Sequence, residues 1–273
     1  MNISSVASGA LATSIQGAAT LRAQLDQLTQ QASDGKVADS FDGLAPAAAR
    51  TALQVQPQID VLQTLRQGID ASTARMDVAQ NAMQQISSVA STLYAQLNNL
   101  NGLNASETDS IAAQARQSLQ LVAGLLNTQS GGTYVFAGSD TANPPVPDPD
   151  SILSSGFFGQ ISTAVGSLGV AGAAATAAAT LAVAGSNAAG TSPFSTALSQ
   201  PASAVNAGLP QVATGAGQSM ATGIAASANT FIASTGSSTT GSYMRDILRA
   251  LATVGSLSSA QVNAGADVAG LVA

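Results

Sequence analysis

Leu62, Ile69, Met76, Met83, Ala90 and Leu97 stand seven residues apart, and Leu65, Ser72, Ala79, Ile86, Leu93 and Leu100 repeat three residues later. A pattern of this length calls for a long helix whose apolar seam lies against other helices. From Ala47 to Leu100 such a helix would extend about 80 Å. A chain of 273 residues does not bury that length by folding around it. The seam therefore needs other long helices, from the same chain or from neighbouring copies. Pro57 either kinks the helix or marks its beginning.

Two further segments offer matching faces. Leu11, Ala18, Leu25 and Ala32 also recur every seven residues, Leu21 and Leu28 follow Ala18 and Leu25 by three, and Ile3, Val6 and Ile15 widen the stripe. This predicts a helix over residues 3–32. The other segment starts at Ser106, read as an N-cap with Asp109 three residues on. Its apolar face is Ile111, Ala115, Leu119, Val122 and Leu126. After the Asn-rich turn 98–104 it would fold back antiparallel on the long helix. Core packing within one chain and packing between copies both satisfy the long helix. The first helix, set apart by a Gly/Asp-containing linker, is expected to pack between copies.

The second half of the chain is different in kind. TANPPVPDPD at 141–150 ends the helical pattern, and from Ser151 to Met244 there is no charged residue. Short apolar runs between Gly and Pro breaks predict short strands and turns there. Gln160–Gly185 is charge-free for longer than a membrane span requires. Its large aliphatics are sparse, and neither basic flanks nor aromatic belts accompany it, so it is read as non-spanning. Charges return in 243–257, where Met244, Ile247, Leu248, Leu251 and Val254 define a short amphipathic helix.

Composition narrows the chemistry. The chain has no Cys, His or Trp, one Lys (Lys36) and one Glu (Glu107). The usual transition-metal ligands, the commonest general base and the thiolate nucleophile are thus missing, and no catalytic, cofactor or metal residues are assigned. A net charge of −6 with scattered basic residues argues against nucleic-acid binding. Asp148 and Asp150 sit in a Pro-rich setting and read as a solvated turn. No phosphate-loop spacing links Gly35, Gly43 and Gly131–Gly132. The first basic residue is Arg22, so no cleaved secretory signal is expected.

Three segments resemble bacterial flagellins. SDGKVADSFDGLAPAAARTAL at 33–53 is similar to the linker between the family's inner and outer helices, with Gly35, Lys36, Val37 and Asp42 matching. NASETDSIAAQARQSL at 104–119 looks like the turn into the third helix. NTQSGGTYVFAGSDTANPPV at 127–146 resembles a signature shared by flagellins and the hook–filament junction protein, carried here by Gly132, Tyr134, Phe136, Gly138, Pro144 and Pro145. GQSMATGIAASAN at 217–229 is more weakly similar to a motif late in the variable region.

The resemblance implies a self-assembling structural subunit of the flagellar filament rather than an enzyme. It would be exported through the flagellar type III apparatus without signal cleavage and would act outside the cell. Its partners would be other copies of itself, hook-associated and cap proteins, and an export chaperone. The expected fold is mainly α, with long antiparallel coiled-coil helices and a low-charge, partly β variable domain. Residues 1–32 would form the inner-tube helix, 33–46 the spoke, 47–140 the helical hairpin, 141–242 the outward domain and 243–273 the start of a truncated C-terminal helical region. The expected assembly interface is Ile3, Val6, Leu11, Ile15, Leu21, Leu25, Leu28, Leu62, Ile69, Met76, Met83 and Leu97.

Two departures from the family accompany this reading. The C-terminal helices that pair with the first helix have no counterpart before Ala273, so a fragment, or a subunit that cannot polymerise as other members do, is expected. Gln85, Ser87 and Ser88 stand where many members carry the residues an innate immune receptor contacts, so no recognition by that receptor is expected. The junction protein is the alternative within the family, and a secreted coiled-coil adhesin the alternative outside it. With so few ionised groups, acid is expected to remove little stability.

Overall fold

The computed structural model describes residues 44–98, 105–215, 217–228 and 238–272, preceded by helical positions 16–17, 19–26, 28–29 and 32–33. The described chain is mainly helical, and it divides into two compact units, Met1–Thr64 and Leu65–Ala273. One helix, α1 (Pro46–Asn98), contains the residue boundary between them. It starts on a proline, which suits the first helical position because the N–H that proline lacks would have no acceptor within the helix there. Pro57 lies inside the helix and does not mark its beginning.

In the first unit no described residue is buried. Leu44, Ala49 and Ala52 are half-buried and the rest are exposed. Helix here rests on local propensity alone, from Ala, Leu and Gln, which are good helix formers.

The second unit has the core. Its centre is α2 (Ala105–Leu126), on which Ala115, Leu119, Val122 and Leu126 are buried together with Ala112 and Ala123. Ser106 lies inside the first turn of this helix rather than at its cap. Asp109 is used elsewhere, accepting a hydrogen bond from the Ser259 amide at 2.8 Å. A tight hairpin follows, β1 (Gln129–Ser130) and β2 (Thr133–Tyr134), closed by Gly131 and Gly132 at φ 58° and 79°. Positive φ at both central positions is what such a turn demands, and glycine meets it without strain.

Helices continue through the uncharged stretch. A 3-10 turn (Ile152–Ser154) leads into α3 (Gly156–Gly166), α4 (Leu168–Ala171) and α5 (Ala173–Gly185). The short α6 (Ala202–Ala207) precedes a second hairpin, β3 (Gln211–Gly215) and β4 (Gln218–Ala221). The antiparallel register pairs Gln211 with Ala221 and Val212 with Met220. The chain then forms α7 (Tyr243–Gly255), α8 (Ser259–Asn263) and α9 (Val268–Val272). α2 packs against α7 and α8, and α5 packs against α3, α7 and α9. The second unit thus runs unbroken across residues 140–141 and 242–243.

Residues 156–185 correct the expectation of strands and turns. Ser155 starts α3 by accepting a hydrogen bond from the Phe158 amide at 3.3 Å. The Ala-rich run of α5 has the highest intrinsic helix propensity. Its buried positions are Thr176, Thr180 and Ala184, small side chains that give no apolar period to read. Breaks at Ser167 and at Gly172 (φ 80°) divide the charge-free stretch. Among the described residues no helix is long and apolar enough to cross a membrane. Sheet among the described residues is limited to the two hairpins and an Ala137–Ala225 bridge.

Arginines donating to carbonyls, rather than ion pairs, tie this unit together. Arg245 is 6% exposed. Its Nε donates to the Ser227 carbonyl (2.8 Å), Nη1 to the Ala184 and Ser186 carbonyls (2.8 and 3.3 Å), and Nη2 to Asn187 Oδ1 (2.6 Å). Its guanidinium also lies 5.1 Å from the centre of the Phe194 ring. Arg249 donates to the Ala177 carbonyl and to Thr180 Oγ1, and Arg116 to the Gly255 carbonyl at 2.6 Å. Ala184 and Gly255 lie in the last turns of α5 and α7, where carbonyls lack helical partners and a cation complements the dipole. Burial lowers the pKa of Arg245 and Arg249, with Asp246 opposing the shift. Among the described residues one ion pair occurs, Arg66–Asp70 at 3.8 Å, on an exposed helix face.

Candidate assembly surface

Along α1 the two heptad series behave differently. The first stays open: Leu62 is 64% exposed, and Ile69 and Met76 are 40% exposed each. Met83, Ala90 and Leu97 on the same series are half-buried. On the second series, Ala79, Ile86 and Leu93 are buried in the core of the second unit, whereas Leu65 and Ser72 are half-buried. The seam is therefore buried or half-buried from Ala79 onward and only partly covered before it. Leu53, Val55, Ile59 and Val61 add to the exposed apolar surface of the helix in the first unit.

Leu21, Leu25 and Leu28 present a second uncovered stripe, at 60–62% exposure. Their spacing of four and three residues places them on one helical face. Removing an aliphatic side chain of this size from water stabilises by roughly 1.5–3 kcal/mol. These two exposed series are thus a reserve of association energy in the described chain.

Within the second unit a groove of about 500 Å³ opens between residues 75–87 of α1 and the extended segment 221–224. Met76, Ala79 and Met83 line it from the helix, and Val135 and Ile224 line it from the opposite side. Gln80, Gln84 and Ser87 supply polar groups at its border, and Arg75 is the ionisable residue of the lining. Arg75 Nη2 donates to the Tyr134 carbonyl at 2.7 Å, while Nε is buried without an acceptor. Burial lowers the pKa of this guanidinium.

The Gly–Tyr–Phe–Gly block is a structural clasp beside this groove. Phe136 is fully buried, and its carbonyl accepts from the Ala226 amide. Gly138 has φ 63°, a conformation that favours glycine, while a Cβ there would meet Leu198 and Ala225 only at ordinary contact distance. Gly132 closes the hairpin, and Tyr134 contributes the carbonyl that holds Arg75. Asn127 bonds both main-chain groups of Val146, pinning the end of the block to the end of α2. The Pro145 carbonyl accepts from the Ser195 amide, and Pro144 is half-buried. Arg75 and the 221–224 segment carried no periodic signal, because their juxtaposition is tertiary.

Ile3, Val6, Leu11 and Ile15 lie outside the described residues, as do the linker residues Gly35, Lys36, Val37 and Asp42. Among the described residues no group of three His, Cys, Asp or Glu is placed to hold a metal ion. Asp148 borders a shallow cleft of about 140 Å³ as its single carboxylate. Compared with protein families, curated proteins and solved structures, the chain finds no match.

Proposed function

We propose that this protein is a self-assembling structural subunit of a bacterial flagellar filament, exported by the type III route without signal cleavage and functioning outside the cell. The observation that carries the self-assembly is the uncovered series on α1, Leu62, Ile69 and Met76, together with the exposed Leu21, Leu25 and Leu28. A helix with an apolar face and few charges gains most by packing against other helices. The flagellar role rests on the linker, turn and Tyr–Phe–Gly segments standing in family order.

In this reading α1 and α2 form the antiparallel coiled-coil hairpin of an outer layer. The Gln96–Gln114 hydrogen bond at 2.6 Å between them is in keeping with that pairing. The subunit's partners are further copies, hook-associated and cap proteins and an export chaperone, and it has no enzymatic role. The Phe136 block with Pro144 and Pro145 favours a second reading, the hook–filament junction protein of the same family.

Light scattering over a concentration series, followed by electron microscopy, tests the proposal. Helically ordered polymers above a threshold concentration support a filament subunit. A discrete oligomer would turn the reading toward an adhesin-like module, and a monomer at every concentration would defeat self-assembly altogether.

A further inference from the structure

The groove between α1 and residues 221–224 has a chemistry that selects its occupant. Its walls are apolar and adaptable, with methionines at positions 76 and 83. Its lining holds one cation, Arg75, and no carboxylate. Arg75 spends one N–H on the Tyr134 carbonyl, and its Nε is buried with no acceptor. No carboxylate of the lining faces this guanidinium, so an incoming carboxylate would complement its charge. The complementary occupant is an apolar helical stripe flanked by a carboxylate.

The chain carries such a stripe itself. Leu21, Leu25 and Leu28 are exposed on one helical face, and the exposed Asp26 lies beside Leu25. The groove is also continuous with the uncovered series on α1, since Met76 belongs to both. Resting on the self-assembly reading above, we infer that the groove receives the Leu21–Leu28 segment of a second copy. The leucines enter between Met76, Met83 and Ile224, and Asp26 meets Arg75. The contact joins two different surfaces, one copy's groove and another copy's helix; passed on from copy to copy it propagates into rings or filaments, and exchanged reciprocally it closes a two-fold dimer.

The absence of cysteine in the sequence makes a direct test clean. Two single-cysteine populations of the full chain, Met83→Cys and Leu25→Cys, are mixed under mild oxidation. The mixed disulfide dimer should exceed either homodimer by clearly more than the twofold that random pairing of equal populations gives. Arg75→Glu in the groove partner should lower its yield about tenfold at limiting concentration, the equivalent of 1.4 kcal/mol. Arg75→Lys should keep most of the yield, and Arg75→Glu opposite Asp26→Lys should restore it. Circular dichroism of each variant separates loss of docking from loss of folding. Mixed dimers no more abundant than homodimers, in a chain that still assembles by light scattering, would overturn the groove assignment while leaving self-assembly standing. A double-cysteine chain that closes only on itself would overturn it too. A wild-type chain that never assembles would remove both.

Discussion

The two compact units are built from similar residues, yet they use them in opposite ways. In the second unit the apolar faces of α2 and α7 meet and are buried down to Leu119, Leu248 and Leu251. In the first unit Leu21, Leu25, Leu28, Leu53 and Leu62 are at least 57% exposed. The difference lies in partners, not in propensity. Both regions are helical, but among the described residues only the second has helices returning from distant sequence to cover the stripe. A second contrast concerns charge. It lies within the second unit: Arg245, Arg249 and Arg116 donate to main-chain carbonyls there, whereas the exposed Arg66–Asp70 pair of the same unit contributes at most about 1 kcal/mol.

The sharpest way to break this comparison is to remove core volume. Leu119→Ala or Leu248→Ala should destabilise the second unit by roughly 2–5 kcal/mol, because both are fully buried in a shared core. Urea unfolding followed by circular dichroism measures this, and a loss below 1 kcal/mol would show that the core is loosely packed. Arg245→Met should come next, at about 3 kcal/mol. It keeps some apolar volume but strands the acceptors of Ser227, Ala184 and Asn187. If Arg245→Met were neutral, packing on Phe194 and not the carbonyl bonds would be what matters.

The first unit should respond in the opposite sense. Leu62→Gln and Leu25→Gln should alter the unfolding free energy of the isolated subunit, measured in urea, by less than about 0.5 kcal/mol, since neither side chain is covered. The same changes should raise the threshold concentration for assembly, read by light scattering. A large effect on subunit stability would mean that these leucines are covered in solution.

The smallest effect should come from pH. Without histidine no side chain with an ordinary pKa titrates between about pH 5 and 8, so the urea midpoint of the second unit should stay flat there. Asp109 is held below its usual pKa by hydrogen bonds from Ser259, with Arg116 adding to the effect. A depressed carboxylate stabilises the fold above its unfolded pKa, and that contribution is lost as pH falls through the lower folded value. Any decline should therefore begin only below about pH 5, where the unfolded carboxylate starts to take up protons. The arginine–carbonyl bonds persist there, because guanidinium stays protonated and a carbonyl does not titrate in that range. A midpoint that fell between pH 7 and 5 would contradict this.

The faces of α2 and α7 were legible as strings of apolar residues at helical spacing. Met244, Ile247, Leu248, Leu251 and Val254 are all buried, and so are Ala115, Leu119, Val122 and Leu126. Two things were not legible. Residues 156–185 carry small and apolar residues on every side, so helix and strand look alike in pattern. The groove beside Arg75 joins segments far apart in sequence, at 75–87, 135 and 221–224, and no local signal links them.

Sequence alone determined which segments are helical in the periodic regions, which face of each is apolar, and what chemistry is missing. Those properties depend on spacing of a few residues and on side-chain identity. Tertiary structure decided which apolar faces are covered and where the arginines donate. A stripe is buried only when a second surface reaches it, and a helix-end carbonyl becomes an arginine's acceptor only once the helices are placed. Arg245 and Ala184, 61 residues apart, meet for that reason. Leu62, on the same repeat as Met83, stays open because no described part of the chain covers it.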